Sequence, residues 1–105
     1  MSQVVSVDLF IVPQDSIPAF IQESKTVRNI VKNIPGLVEG YFYEKTDGDN
    51  DYNFMTMAVW ENEEVFENAG KAIWRAFQEQ DFNPQDAHTK LGIKRVRSEY
   101  SRSPY

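Results

Sequence analysis

From Gln3 to Val12 the residue pattern makes both sides of a strand apolar. Val5, Val7, Leu9 and Ile11 form one alternate set, and Val4, Ser6, Asp8, Phe10 and Val12 form the other. A strand with one face in water carries a mostly polar set on that face, so this pattern predicts cover on both. Pro13 stops the run, and Asp15 or Ser16 is placed to cap a helix opened by Ile17-Pro18. Ile17, Phe20, Ile21, Ser24, Val27, Val31 and Ile34 then recur at the helical period, with Arg28 at the edge of their stripe. Pro35-Gly36 ends this helix, Leu37 to Thr46 reads as a second strand, and the acidic Asp47–Asp51 stretch is its hairpin loop. A third strand runs from Tyr52 to Val59 and closes at Trp60-Glu61. Asn62 caps a second helix, about Glu63 to Gln80, with Val65, Phe66, Ala69, Ala72, Ile73, Ala76 and Phe77 as its buried stripe and Trp74 well off it. Asn83-Pro84 opens a short helix to Leu91 that Gly92 closes. Ile93 to Tyr100 is a fourth strand, and Ser101 to Tyr105 a polar tail that frays.

Strand, helix, strand, strand, helix, strand is the order of a ferredoxin-like α+β unit with an antiparallel sheet, and 105 residues make one such domain. The helices of one unit cover only one face of its sheet. The two apolar sets of the first strand therefore predict a second cover, and in so short a chain a second copy supplies it: a homodimer formed through the sheet face.

Composition narrows the function classes. A net charge of −5 disfavours a nucleic-acid or anionic-membrane partner, because phosphate neutralisation needs surplus Lys and Arg. With no cysteine there is no disulfide framework, thiolate nucleophile or Cys-rich metal site. The run Val4 to Val12 lacks the basic flank of a signal peptide and the length of a bilayer span, so a cytoplasmic protein is expected. Glu61, Glu63, Glu64 and Glu67 crowd the start of the second helix, where its dipole favours carboxylates without any metal. The aspartates of the hairpin loop lack the spacing and the bidentate glutamate of a calcium loop. No metal or cofactor site is predicted.

Asp8 is the lone charge in an apolar strand. Apolar surroundings raise a carboxyl pKa toward the range of a general base, and Arg28 is placed to meet it between helix and sheet. A structural ion pair at the mouth of the core is the plainer account of the same two residues. His88 is the single histidine, a candidate base or a surface residue of the short helix. Trp74 and Tyr41 are candidates to stack on an aromatic ligand, and a tryptophan off the core stripe equally suits packing at an interface.

The first strand with Pro13, the Pro35-Gly36-Leu37 turn and above all Val59-Trp60-Glu61-Asn62-Glu63-Glu64-Val65-Phe66 resemble the antibiotic biosynthesis monooxygenase family, over roughly Val4 to Tyr100. The resemblance implies a dimeric α+β barrel. The family's activities include cofactor-independent oxidation of anthrones and quinols, and haem degradation. The haem-degrading branch uses an Asn in the first strand and a Trp and a haem-ligating His on the second helix. Here those places carry Asp8, Ala69 and no histidine, which speaks against haem. The oxygenase branch implies a small aromatic substrate, Asp8 or His88 as base, Arg28 against the developing anion, and Trp74 or Tyr41 on the rings. A non-catalytic ligand-binding or stress-related dimer of the same fold is the alternative. RNA binding is disfavoured, because the third strand lacks the Gly-aromatic core of an RNA-recognition motif and the chain is acidic.

Overall fold

A computed structural model describes residues 2–103. Its elements are β1 (Val4–Ile11), α1 (Ile17–Val31), β2 (Leu37–Glu44), β3 (Phe54–Trp60), α2 (Glu63–Glu79), α3 (Pro84–Leu91) and β4 (Lys94–Ser101), with a 3-10 turn over Gln14–Ser16. The strands form one antiparallel sheet in the order β2-β3-β1-β4, so the strand with two apolar sets is central and paired on both edges. The ferredoxin-like α+β order read from the sequence is the order observed.

Helix-facing and open positions alternate along the strands, apart from a bulge between Leu37 and Glu39 in β2. Val4, Phe10, Phe54 and Trp60 face the helices and are all buried. Phe10, Val12, Phe20, Phe54 and Ile93 form one apolar cluster with Ile17, Ile21, Phe42 and Leu91 packed on it. Val4, Trp60 and Ala69 form a second, joined by Val65, Phe66 and Ile73 of α2. Phe20 is fully enclosed and tilts against Phe10, Phe54 and Phe42 at centroid distances of 5.0, 5.1 and 5.9 Å.

Among the described residues none covers the other sheet face. The Cα envelope is only 16 Å thick against 42 and 39 Å across, the depth of one sheet and one helix layer. Its radius of gyration, 14.2 Å, exceeds the roughly 13 Å of a compact domain this size. Tyr41, Tyr43, Val96 and Tyr100 stand exposed on this face beside Val5, Val7 and Leu9, the set for which the sequence predicts cover.

Asn62 and Asn83 cap α2 and α3 as expected, accepting hydrogen bonds from the backbone N–H of Val65 (2.9 Å) and of Asp86 (3.2 Å). Four details differ from the sequence expectation. Neither Asp15 nor Ser16 caps α1: the 3-10 turn intervenes, and Ser16 Oγ donates to the carbonyl of Leu91 at 2.8 Å, tying the start of α1 to the end of α3. Ile30, outside the predicted stripe, is buried, lying beside Ala76 of α2 at the rim of the α1–α2 cleft. Ser101 is the last residue of β4, paired with Val4, and does not begin the tail; Pro104 and Tyr105 lie outside the described residues. The third strand begins at Phe54, because Asn53 turns its side chain onto β1's continuation, accepting from Val12 N–H and donating to Val12 C=O, both at 2.9 Å.

Gly36 has a φ of +91°, and a Cβ there would lie 1.9 Å from Val65 Cγ1. Gly36→Ala should therefore lower stability by about 3 kcal/mol in urea unfolding, from backbone strain and overpacking together. Adding Val65→Ala should recover the packing part only. Asn83→Ala should cost about 1 kcal/mol, the usual value of such a cap.

Candidate functional site

The strand register sets four rows of helix-facing residues across β3 and β1. Trp60 pairs with Val4, Ala58 with Ser6, Thr56 with Asp8, and Phe54 with Phe10. The outer rows are bulky and the inner two are small or polar, and β2 extends the Ala58–Ser6 row with Gly40. The two apolar clusters occupy the outer rows, so a polar layer separates them. Ser6, Asp8 and, from α1, Ser24 are its buried polar members, at 8, 9 and 6% exposure.

Asp8 lies in the row Phe42–Thr56–Asp8–Arg97. Its partner is Arg97, directly opposite on β4: Arg97 Nε donates to Oδ1 at 2.9 Å and Nη2 to Oδ2 at 3.0 Å. The sequence expectation of an Asp8–Arg28 meeting is not what the fold makes, because register places a guanidinium on the adjacent strand while Arg28 stands over β2. The Asp8 hydrogen bonds raise the Arg97 pKa above its already basic value, against the opposing effect of burial. The stabilisation tied to that proton is complete below the unfolded value and is lost only as pH rises past the folded one, so Arg97 stays charged throughout the neutral range. Its side chain is half exposed, at the solvent edge of the layer. Arg95 and Glu99, its helix-side neighbours on β4, are also exposed. The route from solvent to Asp8 thus runs over β4.

Arg28 stacks its guanidinium 4.5 Å above the centroid of Phe42, and its Nη1 is buried with no hydrogen-bond partner. It shares a helix face with Ser24, four residues back. His88 is inside the fold, its ring 5.7 Å from Phe10 and 6.1 Å from Phe20 by centroid. Its Nε2 is 3.1 Å from Oε1 of Glu23 on α1, and both side chains are almost enclosed. Asp8, Arg28 and His88 thus share the helix side of the sheet, with His88 and Arg28 at opposite ends of the Phe20–Phe42 pair.

Tyr41 and Trp74 are not part of this layer. Tyr41 is on the open sheet face, stacked on Tyr43 at 5.7 Å, and Glu39 raises its phenol pKa, keeping it protonated. Trp74 is 55% exposed on α2, which packs on the opposite face of the sheet. The clefts between α1 and α2, about 370 Å³, and beside the start of α2, about 560 Å³, are lined by none of these candidates. Sequence reading missed Arg97 and Glu23, whose importance rests on strand register and helix packing. The run of small helix-facing positions, Gly40, Ala58, Thr56 and Ser6, is the sequence signal that marks the layer. Among the described residues no cluster of side chains suits a metal ion, and no helix is long and apolar enough to cross a membrane.

No known family profile matches the sequence, and no curated protein matches it. Solved structures do match over the whole chain. A candidate monooxygenase of Shewanella loihica PV-4 is 22% identical with a TM-score of 0.75, covering 100% of this chain and 99% of that one. SnoaB, a cofactor-independent oxygenase of Streptomyces nogalater, is 18% identical with a TM-score of 0.70, covering 100% and 97%. A dimeric ferredoxin-like protein of an uncultured marine organism is 13% identical with a TM-score of 0.76, covering 100% and 99%. At these identities the shared property is architecture: the chain has the ferredoxin-like α+β fold of these proteins, the fold that its resemblance to the antibiotic biosynthesis monooxygenases implies.

Proposed function

We propose that this chain is an oxygenase that uses no cofactor and acts, as a homodimer, on a small electron-rich aromatic of the anthrone or quinol kind. The observation that carries the reading is the polar layer between the two apolar clusters, Ser6, Asp8 and Ser24 with Arg97 at its solvent edge, and on the same helix side Arg28 over Phe42 and the Glu23–His88 pair beside Phe10 and Phe20. Such burial lowers stability relative to apolar side chains of similar volume. The groups so held are a base and two guanidinium cations, the set needed to take a proton and stabilise the resulting anion. The likeness in fold to SnoaB, a cofactor-independent oxygenase, supports the same class of chemistry.

In that chemistry the base removes a proton from the substrate's acidic C–H. The resulting enolate passes one electron to dioxygen, and the radical pair joins as a carbon-bound peroxide. Loss of water, with the second hydrogen of that carbon, leaves a carbonyl; the balance is CH2 plus O2 to C=O plus H2O. His88 is the better base of the two candidates, because both oxygens of Asp8 already accept from Arg97. Asp8 then holds Arg97 at the rim, and Arg28 offers its unpartnered Nη1 to the oxyanion.

The partner is a second copy of this chain on the open sheet face, where apolar and tyrosine side chains are too many for a solvated surface. The alternative is a dimer that binds an aromatic ligand without turnover. What favours it is the Asp8–Arg97 clamp, which suits a structural ion pair as well as a site.

Leu9→Asp should give monomer or aggregate in sedimentation, since it buries an unpaired charge at a cost of several kcal/mol. A wild-type chain that sediments as a stable monomer at micromolar concentration removes the dimer. With a hydroxyanthrone and quinol panel, wild type should consume oxygen stoichiometrically with product. His88→Gln should lower kcat roughly 10²-fold, the scale of lost base catalysis. Arg28→Met should instead raise KM, keeping the apolar stem while removing the cation. Full activity in both variants means the assigned groups are wrong, and no turnover of any substrate leaves the binding dimer as the account.

A further inference from the structure

Glu23 has no role in the chemistry above, yet it is among the most enclosed charged side chains of the molecule. Its side chain is 9% exposed and His88's is 13%. Glu23 Oε1 and His88 Nε2 are each sealed from solvent without an aligned hydrogen bond to any group, and they lie 3.1 Å apart. A buried donor and a buried acceptor left unpaired each destabilise the fold. Among the described residues each is the other's compensation, at 3.1 Å, with the ring N–H not aligned on the oxygen. Loose alignment without a ligand is common for groups that tighten around substrate.

The two ring nitrogens differ. Nδ1 makes no hydrogen bond and, unlike Nε2, is not sealed from solvent. The ring is otherwise wedged edge-on against Phe10 and tilted on Phe20, so its plane is set by packing. A carboxylate accepts only, which requires the proton to reside on Nε2 and puts the lone pair on Nδ1.

We infer that Glu23 is the positioning residue of His88: its carboxylate holds the proton on Nε2, so that the solvent-accessible Nδ1 is the atom that takes the substrate's proton. This rests on the oxygenase reading for its consequence in turnover, but the hydrogen bond itself does not. The pair bridges α1 and α3, whose ends Ser16 Oγ already ties through the Leu91 carbonyl. The base is thereby held to the sheet side of two helices and not to one.

The test uses the fact that His88 is the single histidine. With 15N-labelled histidine, wild type should show one slowly exchanging ring N–H, assigned to Nε2, with Nδ1 unprotonated. Glu23→Leu should abolish that protected signal, and Glu23→Gln, whose amide oxygen still accepts, should retain it. In oxygen uptake, Glu23→Leu should lower kcat by roughly 10²-fold with KM within about two-fold, the scale of a misplaced catalytic group. Glu23→Gln should recover most of that loss, a split that a merely structural role would not give. Absence of a protected ring N–H in wild type, or an unchanged kcat in a folded Glu23→Leu chain, overturns the inference. If wild type shows the signal but oxidises nothing, the oxygenase reading and the positioning role fall together, while the inter-helix hydrogen bond stands.

Discussion

Asp8 is a carboxylate in the central strand of a sheet, on the side that the helices cover, and its charge has to be matched there. Arg97 does this with two parallel hydrogen bonds from the neighbouring strand. The two residues are directly opposite, so the bidentate pair supports the β1–β4 register along with its hydrogen-bond ladder. A slip of one residue would turn Arg97 to the open face and leave Asp8 buried alone. The charge balance of the polar layer and the solvent edge beside Asp8 depend on that pairing.

On either side of the layer the packing is conventional and heavy. Phe20 with Phe10, Phe42 and Phe54 fills one end, and Trp60 with Val4, Ala69 and Phe66 fills the other. Between them the sheet presents small side chains, and this is where α1 brings Ser24 and Arg28. Two apolar ends make such a middle affordable, since a short stretch of polar burial is carried by the larger apolar area around it. The fold thus divides its sheet by face: the helix side holds Asp8, Arg28 and His88, and the open side holds exposed tyrosines and aliphatic side chains.

The shortest helix carries His88, the base of the proposed reaction. α3 has only eight residues, too few to be stable in isolation, and is held from both ends. Asn83 caps its start, Gly92 closes it in a left-handed conformation with φ +71°, and Ser16 Oγ takes the Leu91 carbonyl. Those local devices fix how α3 lies against α1, and therefore how far the His88 ring reaches under it to Phe10, Phe20 and Glu23.

The elements were legible in the sequence because their signals are local. Periods of two and 3.6, Asn62 and Asn83 before helical runs, and Pro35-Gly36 after one all act within a few residues of themselves. The apolar character of the second sheet face was legible for the same reason, since alternation along β1 declares both sides. Asp8 and His88 stood out as chemically odd residues in their segments, but their partners did not, because Arg97 is 89 residues from Asp8 and Glu23 is on another helix from His88. Arg28 was placed on its stripe yet met Phe42, and Ser16 spent its hydroxyl on α3 and not on capping α1. Which long-range partner a polar group finds is decided by strand register and helix docking, and those follow from the summed packing of the whole chain, to which no single local pattern has access.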